Sequence, residues 1–242
     1  MQTCDLLIKD GSLLIKYDQL EEHVDMAVSG GRILETGKEL WKKYQAVETI
    51  NGKGKLFMPG LIDSHMHTGQ QLLKGLVLDA KPIIWTRIML PFESTLMRLC
   101  AQAAALEMIK CGTAGFIDAG SYHMETAASV YEESGLRGAL SYSTMDEEGL
   151  PESIAMDAEE ALKRTDSLYD RFHGKGNLKV YYSLRALNSC SSRLVELEAM
   201  RARERGTMLQ AHMNEYMGEI NGIVDREGMR PYEYLEKMHV LG

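Results

Sequence analysis

Cysteine is scarce in this sequence, and its spacing excludes two classes of small domain. The four cysteines are scattered along the chain without a C-x-x-C pair, so we expect neither a disulfide framework nor a zinc ribbon. No run of residues approaches the roughly 18 apolar residues that a membrane-spanning helix needs. The N-terminus also lacks the basic segment and apolar core of a secretory signal peptide. We therefore expect a cytoplasmic protein that has no membrane partner.

Positive charge is also in short supply, and this bears on the partners of the protein. The 242 residues include 27 lysines and arginines against 35 aspartates and glutamates, which gives a formal net charge of −8. This balance, without a basic stripe, argues against a nucleic-acid partner. No G-x-G-x-x-G motif follows the first predicted α/β strand and no P-loop occurs, so a nucleotide-binding fold loses support. With 45% hydrophobic residues, the chain can nevertheless bury a sizeable core.

Residues 1–57 have the pattern of a small all-β segment. About four short extended runs are separated by turn signals at Asp10–Gly11, Ser29–Arg32 and Asn51–Gly54. Because so few strands make a poor core alone, we expect them to pack against another part of the protein.

From residue 58 onward, strand patterns alternate with helix patterns. Apolar residues recur at helical spacing over 94–110, and glycine at the end of this run suits a helix C-cap. Five such β–α units in series predict a parallel sheet. The predicted strands are 59–67, 113–118, 136–142, 178–184 and 207–212, and the predicted helices are 94–110, 124–133, 152–172 and 191–204.

A sheet of this kind can be doubly wound or can close into a (β/α)8 barrel. In a barrel, functional residues lie at the C-terminal ends of the strands. His65 and His67 end the first predicted strand. Arg185 and His212 end the fourth and fifth. The predicted fold class is therefore α/β, and these four residues fall where a TIM-type barrel would place its site.

The stretch Pro59–His67 contains the first candidate for a functional site. Side chains alternate along a strand, so His65 and His67 project from the same face. Two converging imidazoles supply neutral nitrogen ligands for a metal ion. An isolated H-x-H tripeptide is more often a coincidence in a polar loop, so a metal site needs a further ligand elsewhere in the chain.

Two motifs give the chain a family resemblance. The segment Pro59–His67 has a D-x-H-x-H pattern, and the later segment Gln210–Glu215 has an H-x-x-E pattern. Together they resemble the amidohydrolase superfamily, and specifically its branch of cytosine, guanine and adenosine-type deaminases. The resemblance covers essentially the whole chain. It implies that residues 1–57 form part of a small β-sandwich and that residues 58–242 form a metal-dependent hydrolase barrel of about five β/α units.

The resemblance also implies which residues form the site. His65, His67 and His212 would bind one divalent metal ion, zinc or iron. Such an ion lowers the pKa of a bound water to about 7 and gives a hydroxide nucleophile. Glu215 would be the general acid/base that takes the proton of this water and helps ammonia to leave. Considered alone, Glu215 would be a solvated loop carboxylate, but its place three residues after His212 favours the catalytic role.

Three further residues resemble positions at which guanine deaminases hold a purine, namely Gln70, Trp85 and Arg185. A planar fork of donors from Arg185 suits a heterocycle with a carbonyl group, and an indole can stack on such a ring. Thiomethyladenosine-type deaminases usually carry histidine where Arg185 stands. Glu93, by contrast, matches a carboxylate that ribose-binding relatives use. The structural alternatives are loop packing for Gln70 and Trp85 and a salt bridge for Arg185.

The resemblance favours an enzyme that deaminates an amino-substituted purine, pterin or similar small heterocycle, with guanine-like substrates preferred. It also favours a homo-oligomer. The family's strand-six histidine and strand-eight aspartate are missing, so we expect a barrel truncated before strand six that is inactive by itself. One alternative is a non-catalytic half-barrel that serves as a structural or interaction module. Another is a cyclic-amide hydrolase, although such enzymes use a carboxylated lysine at the end of strand four, where this chain has Leu184–Arg185.

Overall fold

The computed structural model describes residues 1–75 and 90–241, except for the side chains of 90–95. Its contacts divide the chain into two compact units, Met1–Gly60 and Leu61–Gly242. Within the described ranges, no helix is both long enough and apolar enough to cross a membrane.

The first unit is built from one five-stranded sheet. Its strands are β1 (Gln2–Lys16), β2 (Gln19–Ser29), β3 (Arg32–Gly37), β4 (Tyr44–Asn51) and β5 (Leu56–Phe57). The order is β3-β2-β1-β4, with β5 also paired to β1. The neighbouring pairs β1–β2 and β2–β3 are antiparallel, whereas β4 and β5 run parallel to β1. Burial of Cys4, Leu7, Ala27, Leu40 and Tyr44 gives the unit a small core of its own.

The turn predicted at Asp10–Gly11 is wrong, because β1 continues through it as a β-bulge. Asp10 has a φ of 59°, and its N–H donates a 2.9 Å hydrogen bond to Oδ1 of Asp25. Glycine is needed at position 11, since a Cβ there would overlap the ring of Phe57. The sequence pattern predicts that a short strand ends at this aspartate–glycine pair. In the structure the pair instead forms a bulge within one long strand. The turn predicted after Ser29 is confirmed as the hairpin between β2 and β3.

The second unit alternates strands and helices, as the sequence predicts. Its strands are β6 (Leu61–Met66), β7 (Thr113–Asp118), β8 (Arg137–Leu140), β9 (Leu178–Val180), β10 (Tyr182–Leu184) and β11 (Leu209–Ala211). Its helices are α1 (Leu90–Cys111), α2 (Met124–Ser134), α3 (Ala158–Phe172), α4 (Ser192–Glu204), α5 (Met217–Glu227) and α6 (Pro231–Lys237).

The strands of the second unit are parallel and follow one another in chain order. They form a four-stranded sheet, β6-β7-β8-β9, and a two-stranded sheet, β10-β11, and every pair is parallel. A doubly wound sheet reverses its strand order at a switch point, and the described strands contain no such reversal. The predicted mixed α/β fold with a parallel sheet is confirmed. The order favours closure into a barrel over a doubly wound sheet.

Helix α3 begins later than the sequence predicts. The predicted range is 152–172, but the helix starts at Ala158. The reason is a cap, because the carboxylate of Asp157 accepts a 2.8 Å hydrogen bond from the N–H of Glu160. The strand predicted over 113–118, in contrast, coincides with β7.

The fourth predicted strand, 178–184, is divided into β9 and β10 at Tyr181. The N–H of Tyr181 donates to the carbonyl of Leu140, whereas the N–H of Tyr182 donates to the carbonyl of Met208, both at 3.0 Å. Alternate N–H groups thus point to opposite neighbours, and the chain stays paired on the β8 side through the parallel bridge between Thr144 and Leu184. β9 and β10 are separate strands because β9 pairs with β8, whereas β10 pairs with β11.

Helix α4 packs against α3 and carries a buried acid, Glu198, which is fully inaccessible to solvent. The hydroxyl of Thr165 on α3 donates a 3.4 Å hydrogen bond to Oε1 of Glu198, and Oε2 has no partner in the described part of the chain. Burial raises the pKa of Glu198 well above its ordinary value. The Glu198 carboxyl therefore makes its full contribution to the free energy of unfolding below pH ~4.3, which is its pKa in the unfolded chain. This contribution is lost as the pH rises through its pKa in the folded chain.

We predict that Glu198→Gln removes this pH dependence. The amide is neutral throughout, so the melting temperature of the variant relative to the parent should rise between pH 5 and pH 8. Each kcal/mol gained in the free energy of unfolding raises the melting temperature by about 2–4 °C for a chain of this size. Differential scanning calorimetry measures the shift, with the exposed neighbour Glu196→Gln as the control. Equal pH dependence in the parent and both variants would contradict the prediction.

Candidate metal centre

Three histidines meet at the C-terminal ends of the outer strands of the second unit. His65 lies near the end of β6, His67 follows that strand, and His212 follows β11. One nitrogen from each imidazole lies within 4.8 Å of the other two. The ring centroids are 5.1–5.2 Å apart. The structure thus brings together the three histidines predicted as metal ligands.

The meeting of His67 and His212 requires the sheet to curve. β6 is the first strand of the four-stranded sheet, and β11 pairs with β10, which continues β9 after one residue. With β9 and β10 counted as one strand position, β6 and β11 would be roughly 19 Å apart in a flat sheet, since neighbouring strands are spaced at about 4.8 Å. The Nε2 atoms of the two histidines are only 3.2 Å apart, although 145 residues separate them in sequence. The end strands are therefore turned toward one another, as they are in a barrel.

The imidazole of His67 is oriented by a backbone carbonyl. Its Nδ1 lies 2.7 Å from the oxygen of Gly120, which can only accept, so Nδ1–H is the donor. This fixes the tautomer and leaves a lone pair on Nε2, the atom that faces His212. Gly120 has a φ of 101°, and a Cβ there would lie 2.8 Å from the backbone nitrogen of Ser143. Glycine is therefore required at the position that supplies this carbonyl.

Burial keeps two of the imidazoles neutral. It lowers the pKa of His67 to about 4, while the hydrogen bond to Gly120 acts in the opposite direction. Burial likewise lowers the pKa of His212 to about 3, and the positive charge of Arg185 adds to the effect. Both side chains are therefore uncharged at neutral pH, which is the form that binds a metal ion.

The donor set fits one divalent metal ion. Three imidazoles, two of them kept neutral by burial and one of these with its tautomer fixed, form the usual protein part of an open metal site. Such a site leaves a position free for water or substrate. Asp63 is not a member of the cluster, and its Oδ1 accepts a 3.2 Å hydrogen bond from the backbone N–H of His65.

Two of the predicted substrate residues lie near the histidines. Gln70 is half-buried in the short 3-10 helix Thr68–Leu73, and it lines a cavity of about 430 Å³ together with His65 and His67. Arg185 is buried, and its Nη1 has no hydrogen-bond partner among the described residues. It also forms no salt bridge within the described part of the chain, so that alternative loses support. Trp85 and Glu93 cannot be compared in this way, because Trp85 and the side chain of Glu93 lie outside the described residues.

Glu215 is exposed on the loop between β11 and α5, three residues after His212. Its carboxylate is not part of the histidine cluster. The loop is fixed by a second acid, because the N–H of Glu215 donates a 2.7 Å hydrogen bond to Oε2 of Glu219. Burial raises the pKa of Glu219, a residue that the sequence analysis overlooks. Its position four residues after Glu215, in the first turn of α5, could have identified it as a residue that contacts this loop.

Asp118 is the other residue that sequence reasoning missed. It ends β7 and is fully buried beside the loop that follows His67. Its carboxylate accepts hydrogen bonds from Thr68 and from the N–H of Gly120. Burial raises its pKa to about 6, while these hydrogen bonds act in the opposite direction. An acid at the C-terminal end of a predicted strand could have been found by the same rule that selected the histidines.

We predict that His67→Ala weakens zinc binding by at least about 100-fold, more than the loss of a residue that only supports a ligand. Competition with a chromophoric chelator measures the dissociation constant, and elemental analysis gives the number of ions per chain. His239→Ala is the control, since His239 is exposed and outside the cluster. Parental affinity in His67→Ala would exclude His67 as a ligand.

Comparisons with known proteins agree with this description. Residues 56–242 match the amidohydrolase family. The chain is 30% identical to a 5'-deoxyadenosine deaminase of Methanobrevibacter smithii over 244 aligned positions, covering 98% of this chain and 54% of that protein. It is 32% identical to a 5-methylthioadenosine/S-adenosylhomocysteine deaminase of Thermococcus onnurineus, covering 98% of this chain and 56% of that protein. The chain thus spans about half the length of these curated relatives.

Solved structures share the fold at lower sequence identity. An adenosine deaminase from Xanthomonas campestris with bound zinc superposes with a TM-score of 0.88 at 22% identity, covering 100% of this chain and 56% of that one. The guanine deaminase of E. coli gives a TM-score of 0.79 at 16% identity, covering 96% of this chain and 59% of that one. The family match and the curated relatives confirm the predicted resemblance: the chain belongs to the amidohydrolase family.

Proposed function

We propose that this chain forms the metal-binding part of a hydrolase that deaminates an amino-substituted purine, pterin or similar heterocycle. The observation that carries the proposal is the cluster of His65, His67 and His212, in which one nitrogen of each ring lies within 4.8 Å of the other two and burial keeps His67 and His212 neutral. Zinc is the favoured ion, because the related adenosine deaminase from Xanthomonas campestris has it bound. Iron is the alternative. We further propose that the curved parallel sheet belongs to a (β/α)8 barrel and that residues 1–57 belong to a β-sandwich.

Each residue of the site has a proposed task. The three histidines hold the ion, which when bound makes water acidic near neutral pH and polarises the substrate. Glu215 takes a proton from the attacking water and delivers it to a ring nitrogen while the water oxygen bonds to the ring carbon. When the carbon–nitrogen bond breaks, the exocyclic amine receives the remaining proton of that oxygen and leaves as ammonia. The loop position of Glu215 and its tie to Glu219 support this role, since the carboxylate follows a ligand by three residues.

Arg185 supports a substrate with a ring carbonyl. It is buried, lacks a partner for Nη1 in the described part of the chain, and acts electrostatically on His67 and His212. A buried Nη1 without a partner is unfavourable, so a ligand oxygen that accepts from it would bind strongly. Gln70 lines the cavity beside His65 and His67 and would hold another edge of the same ring. These features favour a guanine-like substrate.

Adenosine-like nucleosides are the second candidate substrates. The curated relatives at 30–32% identity are named as deaminases of 5'-deoxyadenosine, 5-methylthioadenosine and S-adenosylhomocysteine. A cyclic-amide substrate is less favoured, because β10 ends at Leu184 and is followed by Arg185. The one lysine of β9 and β10, Lys179, lies at the other end of the divided strand.

Since the chain spans about half of its relatives, the proposed activity is that of the whole protein. We propose that residues 1–242 alone bind the ion without measurable turnover. Their inactivity, the homo-oligomer and the cytoplasmic location stay predictions. A non-catalytic half-barrel module remains the alternative of a different class.

We predict that the zinc-loaded protein, as its gene encodes it, releases ammonia from guanine or a related aminopurine or pterin. Glu215→Gln should lower kcat by roughly 10²–10⁴-fold, because it removes the proton acceptor, while zinc affinity is retained. A coupled ammonia assay measures the rate, with Asp225→Asn on the exposed side of α5 as the control. A zinc-bound protein that spares every amino-heterocycle and opens cyclic amides would overturn the assignment to deaminases.

We also predict that Arg185→Lys lowers kcat/KM for guanine relative to adenosine by about 10–100-fold, the value of a hydrogen bond to a charged group. Lysine keeps the charge but lacks the planar fork of donors. Steady-state rates with both substrates give the ratio, and Arg193→Lys on the exposed face of α4 serves as the control. An unchanged ratio would favour the adenosine-like alternative.

A further inference from the structure

One carboxylate fixes both neighbours of the imidazole of His67. Oδ2 of Asp118 accepts a 3.2 Å hydrogen bond from the N–H of Thr68 and a shorter one from its hydroxyl. Oδ1 accepts a 2.9 Å hydrogen bond from the N–H of Gly120. Thr68 follows His67 in the chain, and the carbonyl of Gly120 accepts from Nδ1 of His67. Both oxygens of Asp118 are therefore used, one on each side of the same histidine.

The surroundings of Asp118 make this arrangement rigid. Asp118 is fully buried and forms no ion pair within the described residues. The hydroxyl of Thr68 lies 2.6 Å from that of Tyr131. The carbonyl of Asp118 accepts hydrogen bonds from the hydroxyls of Ser141 and Tyr181, and the N–H of Ala119 donates to Met66 at 2.8 Å. The carboxylate thus joins the ends of β6 and β7 in a fully buried setting, where each of its hydrogen bonds is strengthened.

We propose that Asp118 is a positioning residue for the metal ligand His67. It does not touch the ion. It sets the path of the chain on leaving β6 and holds the Gly120 carbonyl that fixes the tautomer of His67. Groups that orient a metal-bound histidine from behind commonly contribute 10–100-fold to metal affinity. The inference rests on the proposed metal site.

Asp118→Asn tests the assignment with little change of shape. A carboxylate accepts on both oxygens, whereas an amide accepts on one and donates on the other. The variant therefore cannot satisfy the N–H groups of both Thr68 and Gly120. We expect zinc affinity to fall about 10–100-fold. We also expect the ¹⁵N chemical shifts of the metal-free His67 ring to move toward a mixture of tautomers.

Tyr181→Phe is the matched control. It removes a buried hydroxyl that donates to the backbone carbonyl of Asp118, but it leaves the carboxylate in place. If Asp118 only stabilised the fold, zinc affinity would fall in proportion to the loss of stability. Asp118→Asn and Tyr181→Phe would then show equal losses of zinc affinity for equal losses of Tm. Our proposal predicts parental zinc affinity and parental ¹⁵N shifts in Tyr181→Phe.

A second pair of variants decides the matter if Asp118→Asn does not fold. Thr68→Ser keeps the hydroxyl that donates to Asp118, so it should retain the parental zinc affinity and the parental ¹⁵N shifts. Thr68→Val lacks this hydroxyl, so its zinc affinity should fall and its ¹⁵N shifts should change. A folded Asp118→Asn with parental affinity and parental shifts would overturn the proposal and leave the metal site intact. Absence of zinc binding by the parent would overturn the metal site itself. The tautomer shifts, measured without metal, separate these two results.

Discussion

The curvature of the parallel sheet is the constraint on which the rest of the site depends. His67 and His212 leave strands at opposite ends of the strand order, yet their Nε2 atoms are 3.2 Å apart. A flat sheet could not bring these atoms together with the strand spacing that hydrogen bonding imposes. The curvature that turns the end strands toward one another therefore also brings the three histidines together.

The interior around the cluster keeps two of the imidazoles neutral and orients one of them. Burial lowers the pKa of His67 and His212, so neither imidazole carries the proton that would compete with an ion. The Gly120 carbonyl selects the tautomer of His67, and Asp118 in turn fixes Gly120 and Thr68. Buried acids recur in this design: Asp118 and Glu219 are both held inside by backbone N–H groups, and each steadies a loop at the C-terminal end of a strand.

The sequence predicted the parts of the structure that local patterns encode. The three clustered histidines lie in the H-x-H and H-x-x-E motifs on which the resemblance rests, and alternating strands and helices follow from apolar spacing and terminal glycines. Asp10–Gly11 was misjudged because a turn and a bulge share that dipeptide, and distant Asp25 and Phe57 decide between them. The hydrogen bond from Thr68 to Asp118 joins residues that are 50 positions apart, so no local pattern reports it.

The central claim is that three histidines from the two ends of a curved sheet hold one ion through their free nitrogens. X-ray absorption at the zinc edge on the zinc-loaded chain tests this directly, since it reports the ligand type, number and distance. The account predicts about three imidazole nitrogens at roughly 2.0–2.1 Å together with a light oxygen ligand, and no sulfur. A first shell with sulfur at about 2.3 Å, or with one imidazole or none, would contradict it.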